Sequence, residues 1–192
     1  MIFQDYYSTP GVRETCHKLK EAENLREFTS ALYTAANHLA AAGSIDSTCF
    51  LVPAPQHTGK ATYTKELCET ISLMTGATVL DIVRCRPHAP LYVQKQDRDC
   101  KHLDAEFYLS GPCPEEENLL FIDNVIATGA TFSKICTLFD GKLKPMPYAV
   151  DYTRLKDEKI LKLLSKQEGR HTVYDPLKDK PIASRKRKSR AR

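Results

Sequence analysis

Apolar residues along this chain recur in two rhythms, and the switches between them mark its elements. Residues 13–42 read as helical, because Leu25, Phe28, Leu32, Ala36 and Leu39 fall three and four apart with polar residues between. The polar run Glu21-Ala22-Glu23-Asn24 leaves one helix or two open, and Gly43 supplies a stop. Residues 48–52 are short, apolar and β-branched, as a buried strand would be. A loop follows over residues 53–59, then a helix over 60–75 with Leu67, Ile71 and Met74 on one face and Gly76 as its cap. Strands are expected over 78–83 and 119–123, a helix over 129–139 ended by Gly141, a strand over 147–151 and a helix over 155–164. Residues 2–7 are apolar and aromatic before Ser8-Thr9-Pro10-Gly11, and read either as a short strand or as a segment packed over the domain. Strands alternating with helical crossovers predict an α/β fold: a mostly parallel central sheet with helices on both faces.

Residues 84–118 break this rhythm. Prolines open and close the segment and charge is dense between them, with Phe107-Tyr108-Leu109 allowing one short strand. A stretch of this length with little structure of its own reads as a functional lid or a disordered insert.

The 192 residues suit one domain plus a tail, and 42% hydrophobic with 27% charged residues excludes a disordered chain, a collagen or a membrane bundle. No run approaches the ~18 apolar residues that a membrane span needs. The seven cysteines are scattered without a C-x-x-C pair, which argues against a zinc ribbon or a disulfide framework and for a reducing cytoplasm. The first residues carry no basic-then-apolar leader. The net charge of +4 hides an asymmetry: residues 185–192 hold six of the 28 basic residues, leaving 22 against 24 acidic ones. Such a tail (184–192) binds nucleic-acid phosphates non-specifically or serves as a solubilising end.

The chemistry concentrates in Leu119-Leu120-Phe121-Ile122-Asp123-Asn124-Val125-Ile126-Ala127-Thr128-Gly129-Ala130-Thr131. A buried strand ending in an acid would put a carboxylate at the carboxyl edge of a parallel sheet, where such sheets bind ligands. The small loop after it opens a helix, so free N–H groups and two hydroxyls offer a phosphate cradle. A carboxylate beside a phosphate cradle suits a sugar phosphate. Rival phosphate motifs fail: Ala61 follows Gly59-Lys60 where Ser or Thr is required, Ala54 replaces the first glycine, and no G-x-G-x-x-G follows a strand. An aspartyl phosphatase would want an acid where Val125 stands.

This stretch resembles the phosphoribosyl-pyrophosphate (PRPP) motif of type I phosphoribosyltransferases: four hydrophobics, two acids, a few mostly apolar residues, then Thr-Gly and a hydroxyl residue. The resemblance implies that Asp123 and Asn124 meet the ribose hydroxyls in the catalytic site, and that Ala127, Thr128, Gly129, Ala130 and Thr131 wrap the 5′-phosphate. Asn124 departs from the motif, since its second acid is an amide here. Val52-Pro53-Ala54-Pro55-Gln56-His57 is similar to the corresponding region of ComF-type phosphoribosyltransferase-like proteins, although the Arg-rich run and Gly-Phe-Asn-Gln stretch of that family are missing. Pro55, Gln56, His57 and Thr58 would then form a pyrophosphate loop, and Arg86, Lys95 and Arg98 would belong to the lid.

The implied domain covers residues 1–183, with an N-terminal hood or helical region over 1–47, the PRPP-binding core over 48–151 and the flexible loop over 84–118. The implied activity transfers a phosphoribosyl group to a base or other nitrogen acceptor. Mg²⁺ would arrive with PRPP, with Asp123 as its one protein contact, and a homodimer is compatible with the family. The competing expectation is a non-catalytic module of the same fold that senses PRPP or a nucleotide or serves DNA metabolism.

Overall fold

The computed structural model describes residues 3–42, 45–89, 105–113, 115 and 118–168, with backbone alone for 167 and 168. Among these, seven strands and five helices form: β1 (Gln4–Asp5), α1 (Val12–Glu21), α2 (Leu25–Ala41), β2 (Phe50–Pro53), α3 (Tyr63–Thr75), β3 (Thr78–Val79), β4 (Val83–Cys85), β5 (Phe107–Leu109), β6 (Leu119–Ile126), α4 (Ala130–Thr137), β7 (Lys144–Val150) and α5 (Glu158–Glu168). The fold is α/β. Five strands make one all-parallel sheet in the order β1-β7-β6-β2-β3, while β4 and β5 form a separate antiparallel ribbon.

The N-terminal helical stretch is two helices. Asn24 caps the second, its side-chain oxygen accepting the Glu27 N–H at 3.0 Å, which satisfies a donor that the first turn leaves orphaned. This start leaves Leu25 at the first helical position, 79% exposed, and corrects its expected place on the buried face. The face that packs is Ala31, Leu32, Ala35, Ala36 and Leu39. Met74, near the end of α3, is also turned outward, and Leu67, Cys68 and Ile71 carry the burial instead. Helices α1, α2 and α3 pack side by side against β6, β7 and β2, and α5 packs against β7.

The strand expected over 78–83 is two strands in different sheets. β3 pairs with β2, and β4 turns away to pair with β5 in the register Val83↔Leu109 and Cys85↔Phe107. The segment expected as a loop from residue 84 therefore begins and ends inside a ribbon. Residues 2–7 resolve to a strand: β1 extends the main sheet alongside β7, with Phe3 fully buried behind it. The basic tail lies outside the described residues, and no helix among those described is long and apolar enough to cross a membrane.

Candidate functional site

The strand order creates the site. From β2 the chain passes through α3 to β3 on one side, and from β6 through α4 to β7 on the other. The crevice between the carboxyl ends of β2 and β6 is thus a topological switch point, the usual ligand position in an open parallel sheet. The two loops singled out in the sequence flank it: residues 54–62 leave β2, and residues 127–129 leave β6.

Asp123 is not at the end of its strand, as the sequence suggested. β6 continues three residues further along β7, to Ile126, but its partner β2 stops at Pro53 opposite Ile122. Asp123 is therefore the first residue of β6 past the end of β2, facing the notch that this creates. Its Oδ1 accepts the Asn124 N–H at 2.8 Å. Burial pushes the Asp123 carboxyl up to about 6, while Lys20 and the Asn124 and Val125 N–H groups pull it down.

Asn124 serves a different purpose from the one expected beside Asp123. It is buried, with Oδ1 accepting from the Tyr63 hydroxyl at 3.1 Å and Nδ2 donating to the Cys16 carbonyl at 3.3 Å. The Cys16 thiol in turn donates to the Asn124 carbonyl at 3.5 Å. One amide so ties β6 to α1 and α3 directly behind Asp123. Burial and the nearby Asp123 charge push the Cys16 thiol up to about 12, so it is an inert donor here.

The loop after β6 closes onto α4. Gly129 holds φ +79 at the N-cap, a left-handed conformation that glycine adopts without strain. Its missing side chain also makes room for α5, since a Cβ there would lie 2.2 Å from Ile160 Cδ1 and 3.2 Å from Leu155 Cδ1. Ala127, Thr128, Ala130 and Thr131 are half-buried. The Ala130 N–H makes a long 3.5 Å contact with Thr128 Oγ1, and the Gly129, Thr131 and Phe132 N–H groups have no partner among the described residues. This leaves donors at the positive end of a helix, able to take an anion.

The loop after β2 is a tight turn braced by the ribbon. Gln56 N–H donates to the Lys60 carbonyl at 3.0 Å and Gly59 N–H to the Gln56 carbonyl at 2.9 Å. From the ribbon, Cys85 Sγ donates to the Gln56 carbonyl at 2.9 Å and Cys85 N–H to the Gly59 carbonyl at 3.0 Å. His88 N–H donates to the His57 carbonyl at 3.0 Å. Pro55 has no N–H and Gln56 has used its own, so His57 and Thr58, both exposed, hold the backbone donors left in this turn.

Of the residues expected in a lid, Arg86 pairs with Glu106 across the ribbon at 3.0 Å, fully at the surface. Lys95 and Arg98 lie outside the described residues. A cavity of about 370 Å³ runs along α4 and β5, lined by Ala105, Phe107, Ser133, Lys134, Thr137 and Leu138, away from the crevice. Sequence reasoning missed Tyr63, Cys16 and Lys20. The i, i+4 spacing of Cys16 and Lys20 on α1 was the available signal, since it places both on one side of that helix. Comparison of the chain with protein-family models, with curated proteins and with solved structures gives no match.

Proposed function

We propose that the chain is a phosphoribosyltransferase-like protein of the type I fold, binding PRPP with Mg²⁺ in the crevice between β2 and β6. What carries this reading is that a desolvated carboxylate, Asp123, stands at the switch point with a donor-rich loop on either side. Asp123 would take hydrogen bonds from the ribose hydroxyls, the N–H groups and hydroxyls of 127–131 would hold the 5′-phosphate, and the His57 and Thr58 N–H groups the pyrophosphate. An acceptor nitrogen then forms its bond to C1 as the C1–O bond breaks, and the electron pair leaves on pyrophosphate. Such a reaction asks mainly for positioning of the two ends of PRPP.

The donor set fits a metal that arrives with the ligand. Mg²⁺ keeps several waters and is commonly held by one or two carboxylates together with substrate phosphates. Asp123 offers one carboxylate, Asn124 offers none, and no cluster of three ligating side chains occurs among the described residues. When bound, Mg²⁺ would neutralise charge on the departing pyrophosphate.

Titration calorimetry with PRPP and Mg²⁺ tests the site. Asp123→Ala should weaken binding by about 1.5–3 kcal/mol, the worth of a hydrogen bond to a charged group. Equal affinity in both proteins would remove Asp123 from it. A second reading, a non-catalytic PRPP or nucleotide sensor serving nucleic-acid metabolism, is favoured by the neutral, internally bonded Asn124. Pyrophosphate release that depends on an added acceptor would decide for the transferase.

A further inference from the structure

The carboxyl edge of the sheet carries a second group of residues, not used in the PRPP reading. Tyr6 N–H donates to the Val150 carbonyl at 3.0 Å as β1 ends, and Asp151 N–H donates to the Ile126 carbonyl at 3.0 Å as β7 ends. Tyr6, Asp151 and Ala127 therefore stand along one rim. Asp5 Oδ1 accepts the Tyr7 and Ser8 N–H groups at 2.9 and 2.7 Å and turns the chain there. The turn sets Tyr7 edge-on to Tyr6, with ring centroids 4.9 Å apart, and leaves Tyr7 54% exposed. Arg13 lies 6.0 Å from the centre of the Tyr7 ring, and His17 Nε2 lies 3.3 Å from the Tyr6 hydroxyl.

Arg13, His17 and Lys20 follow at i, i+4 and i+7 on α1, so they share its exposed face, while Val12, Cys16 and Leu19 are buried. On this helix Glu14 and Lys18 neutralise each other at 2.6 Å. Arg13, His17 and Lys20 form no ion pair with any described residue. The stripe is continuous with the crevice, because Cys16 bonds Asn124 and the Lys20 charge acts on Asp123.

We infer that this rim is the acceptor subsite and that the acceptor is a planar aromatic acid, its ring against Tyr6 and Tyr7 and its carboxylate on the Arg13–His17–Lys20 stripe. The inference rests on the PRPP reading of the adjoining crevice. Two tyrosines held at a fixed angle offer ring surface. Cations without a carboxylate partner favour an anionic ligand, and a guanidinium matches a carboxylate with two parallel N–H groups. A neutral base would leave that charge unanswered, and an aliphatic acid would leave the rings unused. Lys20, between the acceptor carboxylate and Asp123, screens one negative group from the other.

Calorimetry in the presence of saturating PRPP and Mg²⁺ tests this with pyridine-3-carboxylate, 2-aminobenzoate, orotate, the neutral isostere pyridine-3-carboxamide, and adenine. At least one acid should bind about tenfold or more tighter than the amide and adenine. Arg13→Ala and Tyr7→Ala should each weaken that acid about tenfold and leave PRPP affinity unchanged. PRPP binding without preference for any acid, or with a preference that both variants keep, overturns the acceptor inference and leaves the crevice reading standing. Failure of PRPP itself to bind overturns both.

Discussion

The Tyr63 hydroxyl donates to Asn124 Oδ1 across 3.1 Å in the interior, and the amide nitrogen of the same side chain donates to the Cys16 carbonyl. A carboxylate at 124 could keep the first bond and would turn the second into a repulsion. The amide is thus suited to its place by what surrounds it.

Asn124→Asp should accordingly destabilise the protein by about 2–4 kcal/mol at neutral pH, through a lost bond and a buried charge next to Asp123. Tyr63→Phe should cost about 1–2 kcal/mol, since it strands one acceptor. The two changes together should cost less than their sum, because they share one interaction. Urea unfolding of the four proteins measures all of this. An unchanged midpoint for Asn124→Asp would show that the amide is dispensable.

Asp123 makes stability depend on pH with an unusual sign for an acid. Its folded value of about 6 lies above the ordinary 3.8, so the folded state binds the proton more tightly. Its contribution is fully present below pH 3.8 and is lost as pH rises through about 6. Asp123→Asn, which keeps the acceptor for the Asn124 N–H, should match wild type near pH 4 and exceed it by up to ~3 kcal/mol at pH 8. Denaturant curves at the two pH values check this, and a constant difference between them would count against it.

Gly129→Ala should cost about 2 kcal/mol or more, from positive φ and from the collision with Ile160. Ile160→Ala removes the collision and opens a cavity of its own. The double variant should therefore be more stable than the sum of the single effects implies. Simple additivity in thermal melts would place the whole cost in the backbone.

The six charges of residues 185–192 should confer salt-sensitive binding to nucleic acid. Each phosphate contact adds about 0.7–0.9 to the slope of log affinity against log salt. A chain ending at Ser184 should lose that slope in filter-binding titrations. An equal slope in both would assign the binding to the domain.

Much of the fold was legible because its signals are local. Gly76 and Gly141, both at positive φ, stop their helices where the periodicity ends, and the run from Leu119 to Ile122 is buried throughout, as a central strand must be. The strand boundary at Asp123 was misread because a polar residue looks like a strand end. Pairing to β7 carries the strand on, and that pairing is a property of another segment. The division of 78–85 between two sheets was hidden for the same reason. Both candidate loops were placed correctly beside one crevice, since each follows its strand directly. The role of Asn124 was out of reach, because its partners Cys16 and Tyr63 are 108 and 61 residues away.

The braces between the ribbon and the loop after β2 have an evolutionary consequence. Every bond that Cys85 and His88 send to residues 56–59 starts from the first ribbon strand or just after it, and the pairing of Cys85 with Phe107 closes the ribbon above. Chain inserted or removed beyond that closing pair need not disturb any of these bonds, and a longer loop adds little closure entropy, about 0.6 kcal/mol per doubling. Lineages of this protein can therefore vary the length of that span freely while the grip on the turn stays constant, so length polymorphism should concentrate there.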